Sequence, residues 1–228
     1  MGARRRLRLG AGTDELTLAN GANTITVTSA ETITGGTGAD VITLGAAQTS
    51  GTISLGNGVD SLTLSSAGAN TVSVDGVEQV IGGTAADTIT VTDALATRLI
   101  GGLGNDSLTG GGGADQITGG EGRDTMTGAA GVDRFIFGSA LDSPAAAGDT
   151  ITDFATGSDL LVFSGLEQGM FSFLGSGTLT GMGASEASFN DATKLLSVDV
   201  DGDGTADIAM TLTGVSLASL SSTDFLWL

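Results

Sequence analysis

GGLGNDSLT, GGGGADQIT, GGEGRDTMT and GAAGVDRFI follow one another without a gap from Gly101 to Ile136. Written as four nines, the stretch puts glycine mostly at positions one, two and four. Position six is always aspartate: Asp106, Asp115, Asp124 and Asp133. Position eight is always large and apolar: Leu108, Ile117, Met126 and Phe135. A fixed period is the mark of stacked repeats. One nine-residue unit cannot bury its own apolar residue, so a core forms only when neighbours stack. The stretch therefore sets the fold class as all-β. It predicts a parallel β-roll (a β-solenoid) of nonapeptide repeats, and the residues after it read as an antiparallel β capping domain at the carboxy end.

The spacing also dictates chemistry. Two nines make one turn of a flattened coil with a short strand on each side. Aspartates 18 residues apart then share an edge: Asp106 over Asp124, and Asp115 over Asp133. Two stacked carboxylates repel unless a cation lies between them. Calcium suits hard oxygen ligands and takes about six to eight of them, more than two side chains supply. Backbone carbonyls of the glycine turns must complete the set, and glycine permits both the positive φ and the close approach this needs. The candidate ligand turns are Gly101, Gly102 and Gly104 with Asp106; Gly110, Gly111 and Gly113 with Asp115; Gly119, Gly120 and Gly122 with Asp124; and Gly131 with Asp133. Several calcium ions are expected. A flexible glycine linker does not place an apolar residue at every ninth position. A phosphate loop needs a lysine after the glycines, and Lys194 is the only lysine. Collagen needs a period of three and much proline, and the chain has one proline.

These units match the pattern G-G-x-G-x-D-x-U-x. The stretch thus resembles the repeats-in-toxin (RTX) family of hemolysin-type calcium-binding repeats. The resemblance implies a secreted, extracellular or cell-surface protein.

Composition agrees. The chain of 228 residues has 26 acids, 20 of them Asp and only six Glu, which suits short-armed ligands in turns. Four of the eight bases are Arg4, Arg5, Arg6 and Arg8; beyond residue 8 the net charge is −22. Nucleic acid is therefore excluded as a partner, and a metal-free compact state is self-repelling. A hydrophobic content of 40% argues against full disorder. There is no Cys, His or Tyr, which removes thiol nucleophiles, imidazole bases, disulfides and the usual zinc sites. No apolar run approaches the roughly 18 residues of a membrane span. Residues 1–8 lack the apolar core of a signal peptide and read as an artefactual or disordered start.

Residues 9–100 carry the unit in a degenerate form. LGAGTDELT begins at Leu9, LGNGVDSLT at Leu55 and GGLGNDSLT at Gly101, 46 residues apart twice over. Asp14, Asp40, Asp60 and Asp87 are further candidate metal ligands, although their spacings of 26, 20 and 27 differ from 18. Asn23, Glu31, Asn70 and Glu78 fall near the aspartate place in the intervening coils. An Asn side chain can mimic the turn without metal, so those coils read as structural. VTSAETITGG and VDGVEQVIGG resemble linking coils of surface-layer and large secreted RTX proteins. Thr24-Thr26-Thr28 and Thr88-Thr90-Thr92 read as ordinary outward β-branched positions. An ice- or glycan-binding solenoid needs a continuous flat threonine face, which the sequence does not display.

Residues 137–228 read as a cap with a type I secretion signal region. The roll period stops after Phe135, and an open roll end would expose apolar core and strand edges. Asp149, Asp153, Phe154, Gly157 and Asp159 resemble the capping region behind the roll of serralysin-type proteases. Residues 169–215 read as antiparallel hairpins. Asp199, Asp201, Asp203 and Asp207 crowd a turn that is either a calcium loop or a solvated turn; its twelfth place is Met210, so it is not an EF-hand. The ending Asp224, Phe225, Leu226, Trp227, Leu228 resembles the uncleaved signal of type I secretion substrates. The expected partners are calcium ions and the type I secretion machinery, with a cell surface or glycan as a further candidate. The expected function is a non-enzymatic, calcium-folded module at the end of an adhesin or surface-layer-like protein. The alternative is an accessory module of a secreted protease, lipase or alginate epimerase whose catalytic part lies elsewhere, since no G-x-S-x-G elbow or zinc helix is present.

Overall fold

In the computed structural model, which describes residues 5–166 and 170–228, the chain winds between two parallel-stranded sheets. One has ten strands, beginning Arg5–Arg8, Thr24–Thr28, Val41–Leu44 and ending Arg134–Phe137, Leu160–Phe163, Phe225–Trp227. The other has twelve, and its roll portion runs from Glu15–Thr17 and Thr32–Thr37 to Thr125–Thr127 and Asp149–Ile151. Successive strands along the chain alternate between the sheets through the roll. This is the expected β-roll. The short glycine turns force the reversal, and parallel pairing with the next coil satisfies the backbone that a strand of three or four residues cannot satisfy alone.

One continuous column of apolar side chains runs through each sheet, flanked by further buried residues such as Leu44, Leu55, Val74, Val91 and Phe137. Ile42, Leu62, Val80, Leu99, Ile117, Phe135 and Leu161 follow one another in register in the first sheet. Val72, Ile89, Leu108, Met126, Ile151 and Leu212 do so in the second. All are buried. In the regular repeats Leu108, Ile117 and Met126 are each their strand's one buried apolar residue, at position eight, whereas Leu44, Leu55, Val74, Val91 and Phe137 add a second buried residue to their strands. The Ile33–Ile53–Val74 rungs are offset by one step from this column: Val74, and not Val72, sits opposite Ile53.

Several expectations need correction. Arg5–Arg8 is a strand paired in parallel with Thr24–Thr28 and not a disordered start; residues 1–4 lie outside the described residues. The stacking does not stop where the nine-residue period stops. Asp149–Ile151 and Leu160–Phe163 continue the two sheets in parallel, with longer loops between the strands. Their sequences DTIT and DLLV keep the aspartate and apolar places, and of the turn glycines Gly157 alone stands two places before its aspartate, Asp159. The tail is also part of the sheet. Phe225–Trp227 pairs with Leu160–Phe163, and Trp227 stacks on Phe163 with ring centroids 4.6 Å apart. A free apolar end would expose these rings, whereas pairing buries them against Phe171 and Phe163. The antiparallel element is the meander Glu186–Asn190, Leu195–Asp199, Ile208–Leu212, whose last strand joins the roll in parallel with Asp149–Ile151. Before it, Ser172–Phe173 pairs in parallel with Glu186–Ala187, so residues 169–215 are not wholly antiparallel hairpins. Residues 167–169 lie outside the described residues.

Candidate metal-binding turns

The aspartates line both edges of the roll in two ladders. On one edge the N–H of Asp87 donates to Asp106 Oδ1 at 2.7 Å, that of Asp106 to Asp124 Oδ1 at 2.8 Å, and that of Asp124 to Asp149 Oδ1 at 2.8 Å. On the other the N–H of Asp115 donates to Asp133 Oδ1 at 2.9 Å, and that of Asp133 to Asp159 Oδ1 at 2.9 Å. Asp106 thus stacks with Asp124, and Asp115 with Asp133. The looser coils join the same ladders. Asp40 N–H reaches Asp60 Oδ1 at 2.7 Å in spite of the 20-residue step. Asp14 N–H reaches Glu31 Oε2 at 2.8 Å.

The second oxygen of each carboxylate behaves differently. Among the described residues, Oδ2 of Asp14, Asp40, Asp60, Asp106, Asp115, Asp124 and Asp149 is buried with no hydrogen-bond partner. In the regular repeats it faces a glycine turn. A Cβ on Gly110 would lie 2.5 Å from Asp115 Oδ2 and 2.8 Å from the Gly128 carbonyl oxygen. Cβ atoms on Gly101, Gly119 and Gly128 would likewise collide with Oδ2 of Asp106, Asp124 and Asp133. Gly102 and Gly120 take φ of +113° and +98°, a region L side chains rarely adopt. Carboxylate oxygen and carbonyl oxygens therefore converge on a space that any side chain would fill. Acceptors converging without a donor are costly, and a hard cation is the group this donor set fits.

Electrostatics agree. Desolvation pushes the Asp106 carboxyl up to about 7, with the Asp124 charge adding to the rise and the Asp87 N–H bond opposing it. Burial likewise raises Asp115 and Asp124 to about 6 and Asp149 to about 8. Burial also raises Asp60 and Asp133. Among the described residues the salt bridge is Lys194–Asp191, at the surface and away from both ladders.

The asparagine coils solve the same problem internally. Asn70 Nδ2 donates to the Ser65 and Gly68 carbonyls at 2.9 and 3.2 Å and to Asp87 Oδ1 at 2.8 Å. Asn23 Nδ2 does the same with Ala19, Gly21 and Asp40. The amide stands where the other turns leave acceptors unmatched. Gln48 and Thr97 also occupy rungs, donating their N–H to Asn70 Oδ1 and Asp115 Oδ1. No sequence signal marked these two. Asp149 and Asp159 are rungs that the candidate ligand set left out; their D-x-apolar pattern was the available signal.

In the hairpin turn, Asp199, Asp201 and Asp207 bring carboxylate oxygens within 4.8 Å of one another. Asp203 is not in that group and accepts from the Thr205 N–H at 2.7 Å. Asp199 is also held by the N–H groups of Gly202 and Gly204, both at 2.7 Å.

Stacked nonapeptide coils with carboxylates lining glycine turns define a β-roll of the RTX calcium-binding class. The chain belongs to the family described as "Peptidase M10 serralysin C terminal", whose profile matches residues 10–227. That family is the non-catalytic carboxy-terminal domain of serralysin-like proteases, an RTX-type calcium-binding β-roll. The chain is also similar to the solution structures of two subunits of the Azotobacter vinelandii mannuronan C5-epimerase. The AlgE6R3 subunit shares 28% identity over 64% of this chain and 80% of that one, with a TM-score of 0.44. The AlgE6R2 subunit shares 30% identity over 64% and 91%, with a TM-score of 0.43. No curated protein sequence matches the chain. No helix among the described residues is long and apolar enough to cross a membrane.

Proposed function

We propose that this chain is a secreted module that folds when it meets extracellular calcium. The observation that supports it most is the set of buried Oδ2 atoms facing glycine turns without a donor. Asp106 with Asp124, and Asp115 with Asp133, are the principal bridging pairs, completed by glycine carbonyls of the turns between them. Asp87 with Asp106 and Asp40 with Asp60 form further pairs, Asp14 closes the first coil, and Asp199, Asp201 and Asp207 form a separate hairpin site. Bound calcium supplies the positive charge each pair lacks; the chain's own groups orient the oxygens and exclude water.

Family membership favours the accessory-module reading over the adhesin or surface-layer one, with catalysis residing outside this chain. Lacking His and Cys, the chain by itself is read as non-catalytic. The carboxy-terminal Asp224–Leu228 region is read as the type I secretion signal; deleting Leu226–Leu228 in a host with a type I exporter tests this, and undiminished secretion argues against it. Circular dichroism of the whole chain in chelator and in calcium tests the central reading. Strand content should rise cooperatively with calcium; equal strand content in both conditions refutes it.

A further inference from the structure

The twelve-stranded sheet turns a face of hydroxyls outward. Each of four consecutive strands of this sheet, from Thr71–Asp75 to Thr125–Thr127, presents a hydroxyl residue, an inward apolar residue, then a second hydroxyl residue, and Thr150, Ile151 and Thr152 repeat the order at the end of Asp149–Ile151. One column reads Thr71, Thr88, Ser107, Thr125, Thr150 and Thr211 in strict register. The column beside it runs from Thr32 to Thr127 and contains only Thr and Ser. Thr152 extends it through a hydroxyl–hydroxyl contact with Thr127 at 2.7 Å. The sequence hid this face because alternate strands along the chain belong to different sheets. The threonine face judged missing from the linear pattern is therefore continuous in the fold.

Strand propensity does not account for it. Propensity acts on both sheets alike, yet the equivalent column of the ten-stranded sheet reads Val41, Ser61, Gln79, Arg98, Gln116, Arg134. Thr71, Thr88, Ser107 and Thr125 are exposed, and their hydroxyls make no hydrogen bond within the described protein. The rungs lie about 4.8 Å apart and the two columns about 6.7 Å apart, from the spacing and rise of parallel strands. β-Branched side chains hold few rotamers, so the hydroxyls and methyls form a preset two-dimensional array.

We propose that this face binds ice. An array that repeats one uncharged group lacks the varied contacts needed to select a molecule. It carries no aromatic ring to stack on a sugar and no cation to hold a polyanion. What it can select is another lattice, and its rung spacing is close to the oxygen repeat along the a axis of hexagonal ice. Methyls order water beside them, and hydroxyls anchor that layer.

The inference needs the calcium-folded roll only as a scaffold. Circular dichroism in the same calcium buffer first establishes folding, which separates failure here from failure of the calcium reading. The folded chain should partition into a slowly grown ice front and inhibit ice recrystallisation. The double variant Thr109→Lys, Thr127→Lys should lose both effects, whereas Thr43→Lys with Thr118→Lys on the opposite sheet should keep them. A folded protein excluded from ice overturns the proposal, as does equal loss in both double variants. Retention on an insoluble neutral polysaccharide without ice partition would instead assign the face to a glycan and also overturns it.

Discussion

Replacing Asp124 by Asn should push the metal-free and calcium-loaded proteins in opposite directions. Asp124 accepts from the Asp106 N–H through Oδ1, and its Oδ2 is buried and unmatched. Asn keeps the Oδ1 acceptor. Its Nδ2 falls where Asn70 Nδ2 falls in its own coil, within reach of the turn carbonyls and the next carboxylate. Two new hydrogen bonds at about 0.5–1.5 kcal/mol each stabilise the chelated state by about 1–3 kcal/mol. In calcium the variant loses a ligand. At ~10 mM calcium and a Kd near ~10⁻⁴ M, an occupied site contributes about 2.7 kcal/mol, and that increment should fall sharply. Urea unfolding followed by circular dichroism, in chelator and in calcium, reads both numbers. Destabilisation in both conditions, or an undiminished calcium increment, would show that the amide of Asn70 is no surrogate for a cation.

Asn70→Ala removes a calcium-independent fastening and should cost about 1–3 kcal/mol in chelator and calcium alike, measured by the same urea titration. Acid should substitute in part for metal. Folded-state pKa values of about 7 for Asp106 and about 8 for Asp149 lie above the ordinary aspartate value of 3.8. Their protonation therefore favours the folded state fully below that value, and the benefit fades as pH rises through the folded values. Strand content of the chelated chain should thus grow as pH falls from 8 towards 4, and its absence by circular dichroism would contradict the burial of these groups. Deleting Leu226–Leu228 should destabilise the calcium form by about 3–5 kcal/mol, the usual cost of losing a packed aromatic, because Trp227 stacks on Phe163. An unchanged melting temperature would show the tail to be dispensable for folding.

How far the fold was legible depended on how strictly each coil kept its period. Asp106 and Asp124 are 18 residues apart, so their stacking followed from arithmetic. Asp40 and Asp60 are 20 apart and still meet, because the additional residues are taken up away from the ladder rung that Asp40 N–H and Asp60 Oδ1 form. Asp149 and Asp159 were harder, since long loops replace the glycine turns and only the D-x-apolar pattern survives. Gln48 and Thr97 hold their rungs through backbone N–H groups, which every residue except proline possesses, and no side-chain pattern can reveal that. Arg5–Arg8 was read as no part of the fold because residues 1–8 carry neither the repeat nor the apolar core of a signal peptide, while the strand is held by pairing with Thr24–Thr28. Interleaving concealed the hydroxyl face for a different reason: outward positions that are adjacent in space sit a full turn apart in the chain.

The ladders have a direction. In each aspartate rung the backbone N–H belongs to one coil and the accepting carboxylate to the coil that follows it, as in Asp87 to Asp106, Asp106 to Asp124 and Asp124 to Asp149. Through these carboxylate rungs a coil is latched by its successor, while main-chain bonds such as Ser107 N–H to the Asp87 carbonyl and Thr125 N–H to the Asp106 carbonyl tie it to its predecessor. A chain synthesised amino end first leaves its newest coil unlatched until another turn has emerged, so assembly trails growth by one coil. Losing a carboxylate therefore frees the aspartate N–H of the coil before it and leaves the coil after it untouched at that rung.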